Sequence, residues 1–335
     1  MTKLKLSLAM WEYDRTEAIR SGKIEPEGID LNYITLPVQE TFFRMLRDQE
    51  FDASEMSFAS YTLSLEDEKP RFIAIPVFPS RLFRHHSIYV NVNSGINAPK
   101  DLVGKKVGVP EWELTAGVWI RGILSDYYHV PLSSVIYYYG GEEKPGRREK
   151  IPVKNLPKEV KLIDIGNDKI LAKMLDDGEI DALYTPRTPS CFARGSKNVR
   201  RLFSNPDAEE EKYYLETRIF PIMHTVVLRR DRYEANPWIA RSLYKAFVQS
   251  QQITYHNILE SSKEGALKIM LPWIGSFADE IVKKMGTRDY WAYGVDPNRH
   301  VLDTFLKYAE EQGLSKRRRK IEELFAPETL ESYII

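Results

Sequence analysis

The feature that most constrains the fold is the alternation of strand-like and helix-like segments through the first 230 residues. Leu4, Leu6 and Leu8 alternate with polar residues at the two-residue period of a half-buried strand, and comparable segments recur along the chain. From Pro237 onward the apolar residues repeat at helical spacing. This order of elements predicts an α/β protein in which mixed or parallel sheets are covered by helices.

Length and charge exclude several classes of protein. The chain has 335 residues, enough for two domains or one large α/β unit. Its 48 Lys and Arg residues balance its 48 Asp and Glu residues, so it lacks the positive excess of a dedicated nucleic-acid binder. The single cysteine, Cys191, excludes an intramolecular disulfide and a cysteine-based zinc site.

The amino-terminal segment predicts a cytoplasmic protein. Glu12, Asp14 and Arg15 follow the first strand at once, so the apolar stretch is too short for a signal peptide. No later segment approaches the ~20 apolar residues of a membrane span. We therefore expect neither export nor a membrane partner.

Two segments resemble the type II periplasmic-binding-protein fold. The first is Asp101–Pro110, followed by a helix from Thr115, and the second is Ile170–Tyr184, a helix followed by a strand. The resemblance implies two lobes, each a mixed sheet flanked by helices, with a ligand cleft between the lobes.

In that architecture the chain crosses between lobes twice, here near residues 88–94 and 224–230. We accordingly expect residues 1–91 and 227–335 to form lobe 1, with a helical carboxyl-terminal region. Residues 92–226 are expected to form lobe 2.

Longer strings are similar to the 4,5-dihydroxyphthalate decarboxylase family over essentially the whole chain. The strings are Trp11–Arg15, Glu55–Tyr61, Pro76–His85, Gly108–Trp112, Tyr184–Arg187 and Phe220–His224. The resemblance implies a cytoplasmic carboxy-lyase of phthalate catabolism. Its reaction would be the non-oxidative conversion of 4,5-dihydroxyphthalate to 3,4-dihydroxybenzoate and CO2.

Three arginines are predicted to bind the carboxylates of such a substrate. Arg81 and Arg84 follow a predicted strand at residues 72–77, and a guanidinium group can bind a carboxylate through two hydrogen bonds. Arg187 follows a second predicted strand at residues 180–184. The alternative for Arg81 and Arg84 is that they are solvated or pair with acids such as Glu55 or Glu111.

Two histidines are the predicted acid and base, His85 and His224. His85 and His86 would face opposite sides of an extended segment, so only one of them can enter the cleft, and we favour His85. One histidine would protonate the ring carbon that bears the departing carboxylate, and the other would act on the phenol. Glu55 or Glu111 would orient them or relay a proton. A purely structural role for each histidine is the alternative.

The other predicted substrate-binding residues follow strand ends, where open α/β sheets place ligands. They are Tyr13, Arg15, Ser57, Glu111, Trp112 and Thr115. Thr115 is also a candidate helix cap, which alone would explain it.

No cofactor is expected, because the chain has neither of the glycine-rich nucleotide motifs. A divalent metal held by His85, His86, His224 and Glu55 is the open alternative. The expected partner is a small aromatic dicarboxylate, and the helical carboxyl-terminal third is a candidate homo-oligomer interface.

Two other functions remain open from the sequence. The fold by itself favours a non-catalytic solute-binding protein for a small aromatic or carboxylate ligand, although such a protein would need export. The second alternative is an enzyme of the same fold that makes a pyrimidine or menaquinone precursor.

Overall fold

The computed structural model describes residues 2–146 and 150–331, which contain two sheets with flanking helices. The strands are β1 (Leu4–Met10), β2 (Ile29–Thr35), β3 (Ala53–Ser57), β4 (Phe72–Ile75), β5 (Ile88–Asn91), β6 (Lys106–Val109), β7 (Ile136–Tyr139), β8 (Lys161–Asp164), β9 (Ala182–Tyr184), β10 (Val199–Arg201) and β11 (His224–Arg229). The helices are α1 (Glu17–Arg20), α2 (Val38–Asp48), α3 (Phe58–Ser64), α4 (Thr115–Asp126), α5 (Leu171–Asp177), α6 (Ser190–Ala193), α7 (Pro206–Thr217), α8 (Arg230–Ala235), α9 (Trp238–Leu259), α10 (Ile274–Met285) and α11 (Arg299–Glu311). The predicted α/β class is confirmed.

Unit 1 comprises Met1–Arg81, Ile222–Asp303 and Lys320–Ile335. Its five-stranded sheet has the order β2-β1-β3-β11-β4. β1 pairs in parallel with β2 and β3, whereas β11 is antiparallel to both β3 and β4. Met56 and Val226 are fully buried, so the central strands lie inside the core of this unit.

Unit 2 comprises Leu82–Pro221 and Thr304–Arg319. Its six-stranded sheet has the order β10-β5-β9-β6-β7-β8. β6 is parallel to β7 and β9, and β5 is antiparallel to β9 and β10. α5 packs on this sheet through Leu171 and Leu175, and it ends at Gly178, whose φ of 78° is a left-handed conformation that glycine adopts at little cost.

The unit boundaries differ from the predicted lobes, 1–91 with 227–335 and 92–226. The chain leaves unit 1 after Arg81 and returns at Ile222, because β5 forms its ladder with strands of the second sheet. Thr304–Arg319 also belongs to unit 2, although the sequence analysis assigned it to the first lobe. The predicted cleft between lobes stays a prediction, and the site described below lies within unit 1.

No helix of the described chain combines the length and the apolar composition needed to span a membrane.

Candidate active site

Four strand ends meet at one edge of the unit 1 sheet. β1, β3 and β4 run in the same direction, and β11 runs against them, so the first residue of β11 lies beside the carboxyl end of β3. His224 is opposite Ser57, and Val226 is opposite Glu55. Because residues two apart on a strand share a face, Glu55 and His224 are diagonal neighbours on one side of the sheet.

Glu55 is a fully buried carboxylate on which three donors converge. The Tyr13 hydroxyl donates to Oε1 at 2.6 Å, and the Trp11 backbone N–H donates to Oε2 at 3.2 Å. Nδ1 of His224 lies 2.6 Å from Oε1. Because an ionised carboxylate only accepts hydrogen bonds, Nδ1 carries the proton in this pair. Burial, reinforced by the Glu55 charge, raises the pKa of Tyr13, so its phenol stays a donor at neutral pH.

The imidazole of His224 is fixed on two sides. Nδ1 is held by Glu55, and Phe42 of α2 contacts the ring edge-on with a centroid distance of 5.0 Å. The side chain keeps 17% of its surface exposed, and Nε2 has no hydrogen-bond partner within residues 2–146 and 150–331. This nitrogen is therefore available to accept a proton from a ligand or to donate one to it.

Arg15 lies in an aromatic sandwich at the same sheet edge. Its guanidinium carbon is 4.2 Å from the centroid of the Tyr13 ring and 4.4 Å from that of Trp291. Nε donates to the Pro79 carbonyl at 2.6 Å and Nη1 donates to Asp14 at 2.9 Å. In the described chain Nη2 has no hydrogen-bond partner. A stacked guanidinium with one amino group unengaged is a suitable receptor for a carboxylate.

Two other predicted binding residues of unit 1 have structural partners. Arg81 is buried, and its Nη2 donates to the Ala292 carbonyl at 2.8 Å and to Asn298. The Ser57 hydroxyl accepts a hydrogen bond from the backbone N–H of Ser60, so it caps α3. The structure therefore shows a loop-anchoring contact for Arg81 and a capping contact for Ser57.

Arg84 and His85 lie in unit 2, where both are buried. The His85 ring is surrounded by Tyr128, Phe203 and Tyr213 with centroid distances of 5.2 to 5.8 Å. Burial lowers the pKa of His85 to about 4, and burial likewise lowers the pKa of Arg84 to about 10. At neutral pH His85 is thus an uncharged, weakly basic imidazole.

Glu111 belongs to a buried ion cluster in unit 2. Lys150 forms ion pairs with Glu111 and with Glu113, the second at 2.9 Å. Burial alone would lower the pKa of Lys150, but the charges of the two carboxylates outweigh it and raise that pKa. Glu142 is also buried, and it accepts a hydrogen bond from the buried Thr185.

The remaining predicted residues of unit 2 differ in burial. The Trp112 ring is fully buried, and its N–H donates to the Gln312 carbonyl at 2.9 Å. Arg187 is exposed. The prediction that Thr115 caps its helix is wrong, because Thr115 is the first residue of α4 and Leu114 occupies the cap position.

The loop that carries Trp291 and Tyr293 departs from the helical structure predicted after Pro237. α10 ends at Met285, and α11 begins only at Arg299. A signal was present, because Tyr290–Gly294 contains three aromatic residues and ends in glycine.

The residues of the alternative metal site, His85, His86, His224 and Glu55, divide between the two units. Within the described residues, no group of three or more His, Cys, Asp or Glu side chains is arranged to hold a metal ion. Glu55 and His224 are instead hydrogen-bonded to each other.

Two curated proteins are similar to this chain. A 4,5-dihydroxyphthalate decarboxylase of Comamonas testosteroni is 41% identical over 335 residues, which is 100% of each chain. A 4,5-dihydroxyphthalate decarboxylase of Pseudomonas putida is 39% identical over 214 residues, which is 64% of this chain and 83% of the relative. No family model matches the chain.

Solved structures resemble this chain at low sequence identity. The sulfonate-binding protein SsuA of Methylobacillus flagellatus has a TM-score of 0.51 at 16% identity, and the match covers 97% of this chain and 92% of that one. The aliphatic sulphonate binding protein SsuA of Escherichia coli has a TM-score of 0.51 at 12% identity, with 98% and 99% covered. These likenesses confirm the predicted periplasmic-binding-protein-like fold.

Proposed function

The chain belongs to the 4,5-dihydroxyphthalate decarboxylase family, and we propose that it converts 4,5-dihydroxyphthalate to 3,4-dihydroxybenzoate and CO2. The observation in the structure that best supports this reaction is the 2.6 Å contact between His224 and the buried Glu55. It joins an imidazole that can transfer a proton to a carboxylate that orients it.

In this proposal the positive charge of Arg15 binds the substrate. Arg15 offers Nη2 to the carboxylate that the substrate retains, and the flanking rings of Tyr13 and Trp291 hold the guanidinium in place. A charge-assisted hydrogen bond from a fixed arginine is stronger than one between neutral groups. The retained carboxylate thereby anchors the ring while the other carboxylate reacts.

Proton transfer is assigned to His224. When its imidazole is doubly protonated, Glu55 stabilises the positive charge through Nδ1, and Nε2 gives its proton to the ring carbon that bears the departing carboxylate. The hydroxyl para to that carbon supplies electron density and keeps its proton, so the intermediate is the O-protonated form of a dienone. The carbon–carbon bond then breaks, its electron pair restores the aromatic ring, CO2 leaves, and solvent reprotonates His224.

The weak basicity of His85 favours His224 over His85 for this step. With its pKa lowered to about 4, His85 carries almost no positive charge at pH 7, so only a small fraction of molecules holds the proton that this step needs. Its predicted catalytic role remains a prediction. The roles of Arg84, Arg187, Glu111, Trp112 and Thr115 in substrate binding likewise stay predictions.

The test is turnover of 4,5-dihydroxyphthalate by His224→Asn. Asparagine keeps a donor toward Glu55 but removes Nε2, so kcat should fall about a hundredfold to ten-thousandfold while KM changes little. His256→Asn is the matched control, because His256 is an exposed residue of α9 and should leave kcat unchanged. In deuterated water the wild-type product should carry one deuterium at the vacated ring position, detected by NMR.

The outcomes separate the hypotheses. Near-normal turnover by His224→Asn would remove the histidine from the mechanism while leaving the activity intact. Tight binding of an aromatic acid without CO2 release by the wild type would instead favour the solute-binding protein. We also propose that the reaction needs no cofactor. Loss of turnover in EDTA that a divalent cation reverses would contradict this.

Location and assembly belong to the same proposal. We place the enzyme in the cytoplasm, which cell fractionation tests. We also expect a homo-oligomer, supported by the exposed apolar side chains of Trp273 and Phe277 on the carboxyl-terminal part of unit 1. A monomeric mass by light scattering would contradict that assembly.

A further inference from the structure

Tyr293 contains a buried hydroxyl that no mechanistic step above uses. The residue is 6% exposed, and its hydroxyl has no hydrogen-bond partner among residues 2–146 and 150–331. Buried tyrosine hydroxyls ordinarily find a partner, because leaving one unpaired forfeits its hydration without replacement. A ligand atom that accepts a hydrogen bond from the Tyr293 hydroxyl would satisfy this donor.

The loop that carries Tyr293 is held firmly in unit 1. The Gly294 N–H donates to the Pro76 carbonyl at 2.8 Å, and the Trp291 ring N–H donates to the Phe78 carbonyl at 2.9 Å. Both acceptors lie just after β4, on the edge of the sheet that carries Glu55 and His224. These hydrogen bonds fix the backbone of the loop, and they thereby fix the position of the unpaired Tyr293 hydroxyl.

A second set of hydrogen bonds, from Arg81 and Asn298, holds the same loop. Arg81 donates to the Ala292 carbonyl at 2.8 Å, and Asn298 donates to that carbonyl at 2.9 Å and to the Gly294 carbonyl at 2.8 Å. Residues on both sides of Tyr293 are thus tied by hydrogen bonds.

Charged groups of both signs act on the hydroxyl. Arg15 and Arg81 are the cations that act on it, and Asp14 and Glu55 are the acids. Asp14 is already paired with Arg15, and Glu55 already accepts three hydrogen bonds. Burial raises the pKa of Tyr293, so the phenol keeps its proton and acts as a donor at neutral pH.

We propose that Tyr293 is a substrate-binding residue whose hydroxyl donates a hydrogen bond to a carboxylate oxygen of the aromatic dicarboxylate. This inference rests on the proposed function, since it names a further group that recognises the same substrate. Together with Arg15 it would select ligands that carry a carboxylate on an aromatic ring.

The test compares Tyr293→Phe with Tyr290→Phe by calorimetric titration with phthalate, which has both carboxylates and neither hydroxyl. Tyr293→Phe should weaken phthalate binding about tenfold to a hundredfold, the usual effect of losing a hydrogen bond to a charged group. Tyr290 lies three residues earlier and packs edge-on against Tyr255 at 5.3 Å, so the same change there should alter the affinity less than twofold.

Two further measurements distinguish binding from a structural role. The ligand-free Tyr293→Phe variant should melt no lower than the wild type, because it loses an unpaired hydroxyl rather than a hydrogen bond. In turnover of 4,5-dihydroxyphthalate the loss should appear mainly in KM. A lower melting temperature with unchanged phthalate affinity would overturn the proposal.

The inference and the proposed function fail separately. Wild-type protein that binds phthalate but releases no CO2 would contradict the function while leaving the role of Tyr293 measurable by titration. Active wild-type enzyme with equal phthalate affinity in Tyr293→Phe would contradict the inference alone.

Discussion

Single residues of this chain show how burial changes chemistry that the sequence suggests. His85 has the side chain expected of a catalyst, but the rings of Tyr128, Phe203 and Tyr213 remove it from water. The residues next to His224 in the sequence do not distinguish it from His85. Its contact with Glu55 orients the ring through Nδ1 and leaves Nε2 available. The difference between the two histidines comes from their neighbours, which lie far away in sequence.

The burial of His85 predicts a specific dependence of stability on pH. Its pKa is about 4 in the folded protein against an ordinary 6.5, so between these values the unfolded chain binds a proton that the folded chain does not. Stability is therefore lost as the pH falls through this window. Between pH 7 and pH 4.5 the loss from this residue should be about 2 kcal/mol.

Urea unfolding of the wild type and His85→Phe at the two pH values measures this loss. The variant should lack that part of the decline, whereas His256→Phe, at an exposed position, should keep it. Identical pH dependence of the wild type and His85→Phe would contradict the assignment.

At the scale of elements, the site exists because β11 is inserted antiparallel between β3 and β4. The alternating pattern predicts each of these strands, but strand order depends on contacts between distant segments. α7 also depends on a distant contact. Its Asp and Glu residues are typical of a solvated segment, and the buried Tyr213 attaches the helix to unit 2.

The packing of α4 against the carboxyl-terminal half of α11 depends on a glycine. A Cβ atom at Gly122 would lie 2.1 to 2.4 Å from ring atoms of the buried Tyr308. Gly122→Ala should therefore destabilise the protein by about 1–3 kcal/mol through overpacking, despite the better helix propensity of alanine.

Thermal unfolding would check this, with Ser125→Ala on the half-buried side of the same helix as the control. The control should shift stability by less than about 0.5 kcal/mol. A Gly122→Ala protein as stable as the control would show that the two helices separate at little cost.

At the scale of the whole molecule, the chain passes between its two units more than twice. Thr304–Arg319 returns to unit 2 after a long segment of unit 1. Within this segment, Gln312 forms hydrogen bonds with other residues of unit 2. Its side-chain oxygen accepts from Arg121 at 2.7 Å, its amide donates to the Val118 carbonyl at 2.9 Å, and its own carbonyl accepts from Trp112.

Gln312→Met keeps the volume but removes both side-chain hydrogen bonds, including the acceptor for a buried guanidinium. The expected destabilisation is about 3 kcal/mol, because the buried guanidinium of Arg121 loses one of its acceptors. Urea unfolding monitored by tryptophan fluorescence would measure it, and Gln252→Met at an exposed position of α9 should be nearly neutral. A neutral Gln312→Met would mean that water replaces the lost acceptor.

The sequence by itself determined the local elements and the class of fold. Strands such as Lys106–Val109 and helices such as Leu171–Asp177 follow from short-range periodicity and from a helix-ending glycine. The resemblance in strings such as Trp11–Arg15 indicated the family, which the full-length relative confirms.

The tertiary structure decided which residues meet. It paired Glu55 with His224 across 169 positions of sequence and brought Trp291 onto Arg15. It also gave Tyr293 and Gln312 their buried positions and their neighbours. The physical reason is that hydrogen bonding and burial depend on contacts between distant segments, whereas periodicity reports only on the few residues within one helix or strand.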